Sequence, residues 1–502
     1  PGDTIAFAGT TLLLGPGEAV RLSADGPTGD WSAAFLGASE GPPLDAIVYA
    51  DSATGSDTNP GTQALPVQTL ARAVQLVGAS GWRRYGVIFL ARAGGTAYTL
   101  PQDVHTTWPN GGGVGAFPLQ ILGEWIDSGQ GTLTVDANAN GSATPPVYAT
   151  YDATGGTSGA WVADQWRGYF MRFLTGALAT ANRRQIVGKN DANTLSSSFG
   201  VSGVANGDTF VLERPGAVVQ ALGRQGWHAA PGVIMRGCEV QLLNGTGLAT
   251  LALLDCTLML EGCWVNGSAN FTISPGPVGN LTTGQLPGFN TQTTAPALPY
   301  THTDDAGAYF LGPGSLTTPS ASRGACTVAC RNAIWSGVTN TVLLGATYAD
   351  VFGAHFGVAS LRVSTGALAS ATSTRYETVT PSTALGAAVG ADDGATLILS
   401  SVVIENTPAT TAAGDAVRAR ERAYVHMTAV SGVGNAGVGL RTEQFTRAKT
   451  DTPNVGTTVT GAGGDVVVGA NAVTTWALIA GGLAVNTTDL AAAIPQICRV
   501  SA

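Results

Sequence analysis

The C-terminal half of the chain repeats short apolar segments at a nearly constant spacing. GATLILSSVVIEN (394–406) aligns with RAYVHMTAVSGVGN (422–435) at an offset near 27, and GDAVRAR (414–420) and AGVGLRT (436–442) hold corresponding places. Each unit reads as strand, tight turn, strand, loop, strand. Such a unit buries its apolar residues only by stacking on its neighbours, so the pattern predicts a solenoid of parallel strands.

The scarcity of charge agrees with a β-rich chain. Charged residues make up 11% of the sequence, against about 25% in an ordinary soluble domain, and Lys189 and Lys449 are the only lysines. Long amphipathic helices need charged residues on their solvent faces, whereas strands can expose Thr, Ser and Asn. With 69 glycines available for turns, composition predicts an all-β protein.

The stretch from Ile47 to Leu100 reads as the opening of such a solenoid. IVYADS predicts a strand, GSDTNPGT (55–62) a turn, LPVQTLARAVQLV a short amphipathic helix with Thr69 as N-cap, and YGVIFLAR a second strand. This order resembles the entry segment of pectin-lyase-like right-handed parallel β-helix proteins, many of them phage tailspikes, virion appendages or bacterial surface proteins. The resemblance implies a right-handed parallel β-helix whose first coil is capped by the helix. The alternative is an ordinary βαβ unit.

Other composition shifts suggest how the chain is divided. Residues 1–40 predict a β-rich lead-in that attaches the protein to a partner, and 45–485 predict the β-helix. Residues 161–216 resemble a module recurring in phage structural proteins, which implies an inserted β module. The Pro-, Thr- and Gly-rich segment 270–325 predicts a long extended loop region, and 486–502 a C-terminal cap or tail.

The cysteines suggest internal stacking rather than redox or metal chemistry. VIMRGCEVQL, LLDCTLML and EGCWVNGS share a motif of Cys, any residue, then an aliphatic or aromatic residue, with Cys238 and Cys256 18 residues apart. The six cysteines fit neither a disulfide framework nor paired CxxC zinc ligands. We therefore expect buried thiols that form a ladder inside the core, with no metal and no cofactor.

Carboxylates are the residues most relevant to catalysis, because glycan-cleaving β-helices use two or three of them on one solvent-facing side. The catalytic candidates at suitable spacing are Asp304, Asp305, Asp392, Asp393 and Glu405. Adjacent aspartates also occur in solvated turns, and Glu405 lies near several arginines that favour simple ion pairing. No calcium-loop, phosphate-loop or nucleophile-elbow motif accompanies them.

A ligand-binding surface is the second kind of site to consider. Trp161, Trp166 and Tyr169 in the 161–216 module are candidates for binding a receptor or glycan, and a purely structural role is the alternative. A net charge of −9 and a pI near 5.0 exclude nucleic acid as the main partner, since phosphate binding needs a basic surface. No apolar run is long enough for a membrane span.

These observations predict a structural virion surface protein: a phage tailspike, fibre or decoration protein that presents a rigid rod for host-surface attachment or particle stabilisation. We expect a homotrimer that contacts other virion proteins through residues 1–40 and binds bacterial surface glycan. The start of the chain lacks the features of a signal peptide, so we expect a virion location, with the cell surface as the alternative. Two other functions stay open. One is a depolymerase that cleaves bacterial polysaccharide as a hydrolase or a lyase, and the other is a bacterial adhesin.

Overall fold

The computed structural model describes most of the chain in segments. The described residues are 4–7, 10–13, 19–25, 30–36, 46–79, 86–92, 94, 96–99, 103–105, 119–136, 149–180, 184–197, 204–222, 224–228, 233–243, 249–254, 257–267, 271–275, 280–283, 308–311, 315–317, 326–336, 340–343, 347–356, 360–381, 386–408, 414–443, 447–450, 458–461, 466–468, 473–477, 485–486 and 500–501. Within them the protein is mostly β, with parallel sheets, one small antiparallel barrel and two helices. The expectation of a β-rich chain with few helices is confirmed.

Two separate hairpins precede the parallel sheets. Thr4–Phe7 pairs antiparallel with Thr10–Leu13, and Ala19–Asp25 pairs antiparallel with Asp30–Leu36. Both hairpins lie within residues 1–40, for which the sequence predicted a β-rich lead-in. Each hairpin forms its own two-stranded sheet, and among the described residues no strand pairing joins either hairpin to the parallel sheets.

The parallel strands form three ladders, in which each strand pairs in register with a later one. The first ladder consists of Ala46–Ala50, Gly86–Leu90, Leu119–Gly123, Val233–Arg236, Thr257–Glu261, Asn280–Thr283, Leu368–Thr372, Thr396–Ser400, Tyr424–Thr428, Arg447–Thr450, Val473–Ala477 and Val500–Ser501. The second consists of Tyr98–Thr99, Ala217–Leu222, Cys238–Leu243, Cys263–Gly267, Ala308–Leu311, Arg375–Glu377, Val403–Glu405, Ser431–Asn435 and Thr458–Gly461. The long strands Cys326–Trp335 and Thr347–Phe356 contribute to both.

The third ladder has twelve strands of its own. They are Asp103–His105, Arg224–His228, Ala249–Leu254, Phe271–Pro275, Ser315–Thr317, Asn340–Leu343, Ser360–Val363, Ala387–Ala391, Asp415–Ala419, Leu440–Thr442, Val466–Val468 and Val485–Asn486. Through most of its length the chain visits the first, second and third ladders in turn and then returns to the first. Four strands therefore lie within 270–325, where the sequence predicted an extended loop; residues 284–307 lie outside the described part.

The register confirms the repeat read from the sequence. Thr396 lies opposite Tyr424 on the first ladder, an offset of 28 residues, and Val417 lies opposite Leu440 on the third. Inward residues then stack as like on like: Leu397 on Val425 and Leu399 on Met427, all with no exposed surface. Because strands in a sheet lie about 4.8 Å apart, each rung covers the apolar surface of the one before it.

The helix Leu70–Ala79 packs on this core as predicted. The Thr69 Oγ1 accepts a hydrogen bond from the Arg72 N–H at 3.1 Å, which confirms the N-cap. Leu70, Ala73 and Val77 are buried with the ladder residues, and the flanking strands Ala46–Ala50 and Gly86–Leu90 are parallel neighbours. Val74 of the same helix is only partly buried.

The turn from the first ladder to the second is a tight corner. Gly237 and Gly262 occupy it with φ of 60° and 58°, and in later coils Ser373, Ser401 and Ala429 take the same left-handed conformation. The Ser373 and Ser401 N–H groups donate to the carbonyls of Ser400 and Thr428, each at 2.8 Å. A left-handed residue at these five corners thus turns the chain from the first ladder to the second while both ladders continue.

A small barrel is inserted at this same corner. Leu122 lies opposite Arg236, and Ala217 lies opposite Cys238. In the later coil Gly237 alone joins Arg236 to Cys238. In the earlier coil residues 124–216 are inserted at the equivalent point. The Gly216 N–H donates to the Glu124 carbonyl at 2.8 Å, which ties the two ends of the insert together.

The barrel strands are antiparallel, and six of them close on one another. These strands are Leu133–Val135, Ala149–Thr154, Thr194–Ser197, Arg184–Asn190, Phe170–Phe173 and Thr209–Pro215, with Trp125–Asp127 added beside the last and a four-residue helix at Ala177–Thr180. The antiparallel strands begin at Trp125, earlier than residue 161, where the sequence placed the start of the module. The first strands of the barrel are short and carry no distinctive pattern, so the sequence did not separate them from the preceding ladder.

The cysteine ladder exists with a different partner from the one expected. Glu239 lies opposite Trp264, which places Cys238 beside Cys263 rather than beside Cys256, a residue outside the described part. Both described thiols are free and fully buried. Burial raises the pKa of Cys263 to about 12 and raises that of Cys238, so both stay protonated and act as small apolar groups.

Candidate functional site

The barrel lies against the outward side of the second ladder, and this contact, called the seam below, holds the most chemically diverse side chains among the described residues. At its centre Trp264 donates its Nε1–H to the Gly168 carbonyl at 2.7 Å. The rings of Tyr169 and Tyr309 meet Trp264 edge-on, with centroids 5.3 and 5.9 Å away. A side chain at Gly168 would collide with the Tyr309 ring, so the absence of a Cβ there permits the close approach.

A row of amides extends from the seam along the second ladder. Gln220 donates to the Gln241 Oε1 at 2.9 Å, and Gln241 donates to the Glu239 Oε1 at 2.8 Å. Asn266 continues the row in register with Gln241 and approaches the same Glu239 oxygen at 3.5 Å. Stacked in-register amides of this kind stabilise parallel strands and present donors and acceptors along a regular line.

Two carboxylates lie at the far end of the seam, on neighbouring rungs. Glu377 is directly opposite Glu405, so their backbones are about 4.8 Å apart. Arg375 bridges them: its Nε donates to Glu377 at 3.1 Å and its Nη2 to Glu405. Lys189 of the barrel contacts Glu377 at 3.3 Å, and both carboxylates are 20% exposed.

This arrangement suits polar, hydroxyl-rich ligands. Aromatic rings beside amides and carboxylates are the groups that bind sugars through apolar faces and hydrogen bonds. Retaining glycoside hydrolases also use a pair of carboxyl groups, about 5–5.5 Å apart. Here, however, a shared guanidinium holds both, as it does in structural ion pairs.

A separate ion network lies at the turn after the third ladder. Asp392 is fully buried, and its Oδ2 accepts from the Nη2 of Arg362 at 2.8 Å and of Arg420 at 3.0 Å. Burial disfavours the charged carboxylate, but hydrogen bonds from Ser364, Arg362 and Arg420 outweigh it and hold the pKa of Asp392 below its ordinary value. The role of Asp392 is thus to fix the turn.

The sequence-predicted acidic candidates are placed apart from one another. Asp392 is in the buried network, whereas Asp393 is exposed in the following turn with a positive φ of 49°. Glu405 is in the seam on a different ladder. Asp304 and Asp305 lie outside the described residues.

The aromatic candidates have mixed positions. Trp161 and Trp166 are 6% and 4% exposed and pack edge to face inside the barrel with centroids 6.1 Å apart. They fill the barrel interior and expose too little ring surface to stack on a ligand. Tyr169 alone reaches the seam, where burial raises its pKa.

The sequence analysis missed Glu377, Arg375 and Lys189. A usable signal existed, because Glu377 and Glu405 are separated by the same 28-residue step as Thr396 and Tyr424. The residue that lies one 28-residue repeat before Glu405 is Glu377. The contact from Lys189 had no such signal, since it depends on how the barrel docks.

The described residues contain no group of three or more His, Cys, Asp or Glu side chains arranged to hold a metal ion. Among the same residues, neither helix has the length and apolar character needed to cross a bilayer.

Comparison with known proteins gives remote structural likenesses. No protein-family model matches the chain, and no curated protein matches it. Solved structures with some likeness include XylC in complex with xylose (TM-score 0.27, 9% identity, 87% of this chain and 76% of that one), and the tailspike gp61 of Pseudomonas phage phi297 (0.24, 12%, 85% and 76%). The lacto-N-biosidase of Eubacterium ramulus is another (0.22, 12%, 85% and 67%). With TM-scores below 0.5, none of these likenesses bears on what this chain does.

Proposed function

We propose that the chain is a right-handed parallel β-helix that serves as a structural surface protein of a virion, of the tailspike, fibre or decoration class. The observation that carries the proposal is the cyclic order of the three ladders, which the chain follows from the strand Gly86–Leu90 to the strand Val473–Ala477. A chain that winds in this way makes a long, rigid body. Such a body holds a binding surface away from its point of attachment.

Two further features support a surface role. The hairpins within 4–36 form sheets of their own, as expected of a piece that docks on another protein. The barrel leaves the rod at one corner and forms the seam, whose amides, carboxylates and rings suit a surface glycan. We therefore assign attachment to the hairpins and host-surface binding to the seam.

Labelling of intact particles tests the location. Antibodies raised against the full chain should decorate purified virions in electron micrographs, and removal of residues 1–40 should abolish the label while the rest of the chain still folds. Label on the bacterial surface instead of on particles would support the adhesin and contradict the virion role.

A second candidate is a polysaccharide depolymerase, favoured by the facing carboxylates of Glu377 and Glu405. If the seam cleaves glycosidic bonds, Glu377→Gln and Glu405→Gln should each stop the release of reducing ends from capsular polysaccharide. Glu421→Gln, which changes a carboxylate 47% exposed outside the seam, is the matched control. Equal product release by all three variants and the unmodified chain would refute catalysis at this pair.

A further inference from the structure

The wall of the barrel carries a polar side chain that points into the barrel interior. Gln185 is on the strand Arg184–Asn190, directly opposite Met171. Met171 and Val187 both belong to the barrel core, and because side chains alternate along a strand, Gln185 lies on the same inner side. Gln185 has no exposed surface, and neither its Oε1 nor its Nε2 has a hydrogen-bond partner among the described residues.

A second inward polar group lies in the same register row. Leu212, which is opposite Met171, accepts a hydrogen bond from the Ser128 N–H at 2.8 Å. Because Asp127 is opposite Glu213, Ser128 is the next position opposite Leu212 and shares its inner side of the sheet. The Ser128 Oγ is buried and, within the part of the chain that the structure describes, has no hydrogen-bond partner either.

The row carries these two groups to opposite walls of the barrel. It crosses three strand pairings, by way of Phe170–Phe173 and Thr209–Pro215, and ends on the segment that continues Trp125–Asp127. The barrel closes with six strands, so positions three strands apart in such a row face each other across the interior. The Gln185 amide and the Ser128 hydroxyl therefore face each other.

The chemistry of the two groups limits what binds between them. A buried donor or acceptor without a partner destabilises a fold, because it has left water and gained no hydrogen bond in return. The amide and the hydroxyl each donate and accept, so their partner must do both. Their neighbours in the core are apolar, Leu133, Val187 and Leu212 among them, and an ion placed there would lose its hydration without compensation.

The width of the barrel limits the size of the occupant. A barrel of about eight strands is just wide enough to be filled by side chains or to hold one small ligand. Six strands leave less room, and Trp161, Trp166 and Phe210 take up much of it. Water is the neutral donor and acceptor that fits, and a buried water makes about three hydrogen bonds, as many as the unpartnered amide and hydroxyl atoms can supply.

We infer that the barrel contains a buried water site, in which water bridges the Gln185 amide to the Ser128 hydroxyl. The site holds the strand by which the chain enters the barrel. In the described part of the chain, Trp125–Asp127 pairs along one edge only, with Thr209–Pro215. The water bridge ties the end of this strand to the opposite wall. The inference goes beyond the proposed virion role and does not depend on it.

A crystal structure of the unmodified full chain tests the site directly. The electron density should show ordered water about 2.7–3.2 Å from the Gln185 amide and from the Ser128 hydroxyl. An interior without density between the two groups, or an organic molecule in place of water, would overturn the inference.

Hydrogen exchange of the full chain tests whether the two groups act together. Peptides covering 209–215 should exchange about tenfold faster in Gln185→Met and about threefold faster in Ser128→Ala, because each change removes bonds to the water. The double variant should also exchange about tenfold faster, since without the amide there is no bridge left for the hydroxyl to lose. Gln63→Met, the same change at an exposed glutamine outside the barrel, should leave these peptides unchanged.

Two exchange results would contradict the water bridge. Slower exchange in Gln185→Met would show that the amide is an unpaired group whose removal stabilises the barrel. An increase of about thirtyfold in the double variant would show that the two groups act independently. Circular dichroism melting curves check that the variants fold, and the crystallographic test does not depend on them.

Discussion

The buried ion network at Asp392 makes a quantitative prediction about local stability. Replacing Asp392 by Asn keeps the side-chain volume but removes the charge that faces Arg362 and Arg420. One carboxylate oxygen becomes an NH₂ group, a donor that points at guanidinium donors. The turn that follows then loses the group that fixes it, although its backbone bonds from Asp392 N–H to the Val363 carbonyl and from Ala395 N–H to the Asp392 carbonyl remain.

The exposure of the partners sets the size of the effect. Breaking a fully buried ion pair costs about 3–5 kcal/mol, because the remaining charge cannot reach water. Here Asp392 has no exposed surface, but Arg362 and Arg420 are 27% and 23% exposed, so the freed guanidiniums regain part of their hydration. We therefore expect a local destabilisation of about 2 kcal/mol, between the buried and the surface limits.

Hydrogen exchange measured by mass spectrometry checks this value. At pH 7, peptides covering 386–400 should exchange about thirtyfold faster in Asp392→Asn, since about 1.4 kcal/mol corresponds to tenfold in an opening equilibrium. Asp393→Asn is the control, because its side chain is exposed and a neutral substitution there should change exchange less than twofold. Equal exchange in the two variants would refute the assignment of Asp392 as a buried structural anion.

The pH dependence has a definite sign. The pKa of Asp392 is lower in the folded chain than its ordinary value of 3.8, so its stabilisation is fully present above that value and is lost as the pH falls through the folded pKa. The difference between the unmodified chain and Asp392→Asn should therefore be constant above about pH 5 and shrink below about pH 4. A difference that grew on acidification would contradict the lowered pKa.

Three other predictions concern the core, a corner and the seam. Iodoacetamide should alkylate Cys263 in the native chain at pH 8 at least about a thousandfold more slowly than in urea, since the pKa rises from 9.0 to about 12; peptide mass spectrometry measures this. Ala429→Gly should stabilise the chain by about 0.5–1 kcal/mol in urea denaturation, because φ is 54° there. Trp264→Leu should reduce the free energy of barrel docking by about 2 kcal/mol, and Lys189→Met should reduce it by less than about 0.5 kcal/mol. The rate of protease cleavage near Gly216 measures this loss.

The local parts of the fold could be predicted because their signals are local. The Thr69 cap, the helix after it and the strands on both sides were all readable from residue type and spacing. The C-terminal repeat was also recognisable, because consecutive coils that share the same 28-residue length keep their inward residues aligned.

The uneven coils explain what the sequence did not show. Thr372 to Ser400 is a 28-residue step on the first ladder, whereas Val417 to Leu440 is a 23-residue step on the third. A repeat whose length changes from one coil to the next hides its register, and so Cys238 was matched with Cys256 instead of Cys263.

The site was harder to predict than the fold because it joins distant parts of the chain. Lys189 and Glu377 meet across the barrel docking surface, and no pattern in the sequence encodes that distance. For Trp161 and Trp166 the sequence left both a binding surface and a structural role open, and their burial agrees with the structural role, because a small barrel needs large side chains to fill its interior.

The corner at which the barrel leaves the parallel ladders has a consequence for protein engineering. Its ends are joined by the hydrogen bond from Gly216 to Glu124, so a whole folded unit departs and returns at almost one point without interrupting a rung. Ser373, Ser401 and Ala429 hold the equivalent site in later coils. Foreign domains whose termini lie close together could be grafted there, to display antigens or enzymes at chosen heights along a single scaffold.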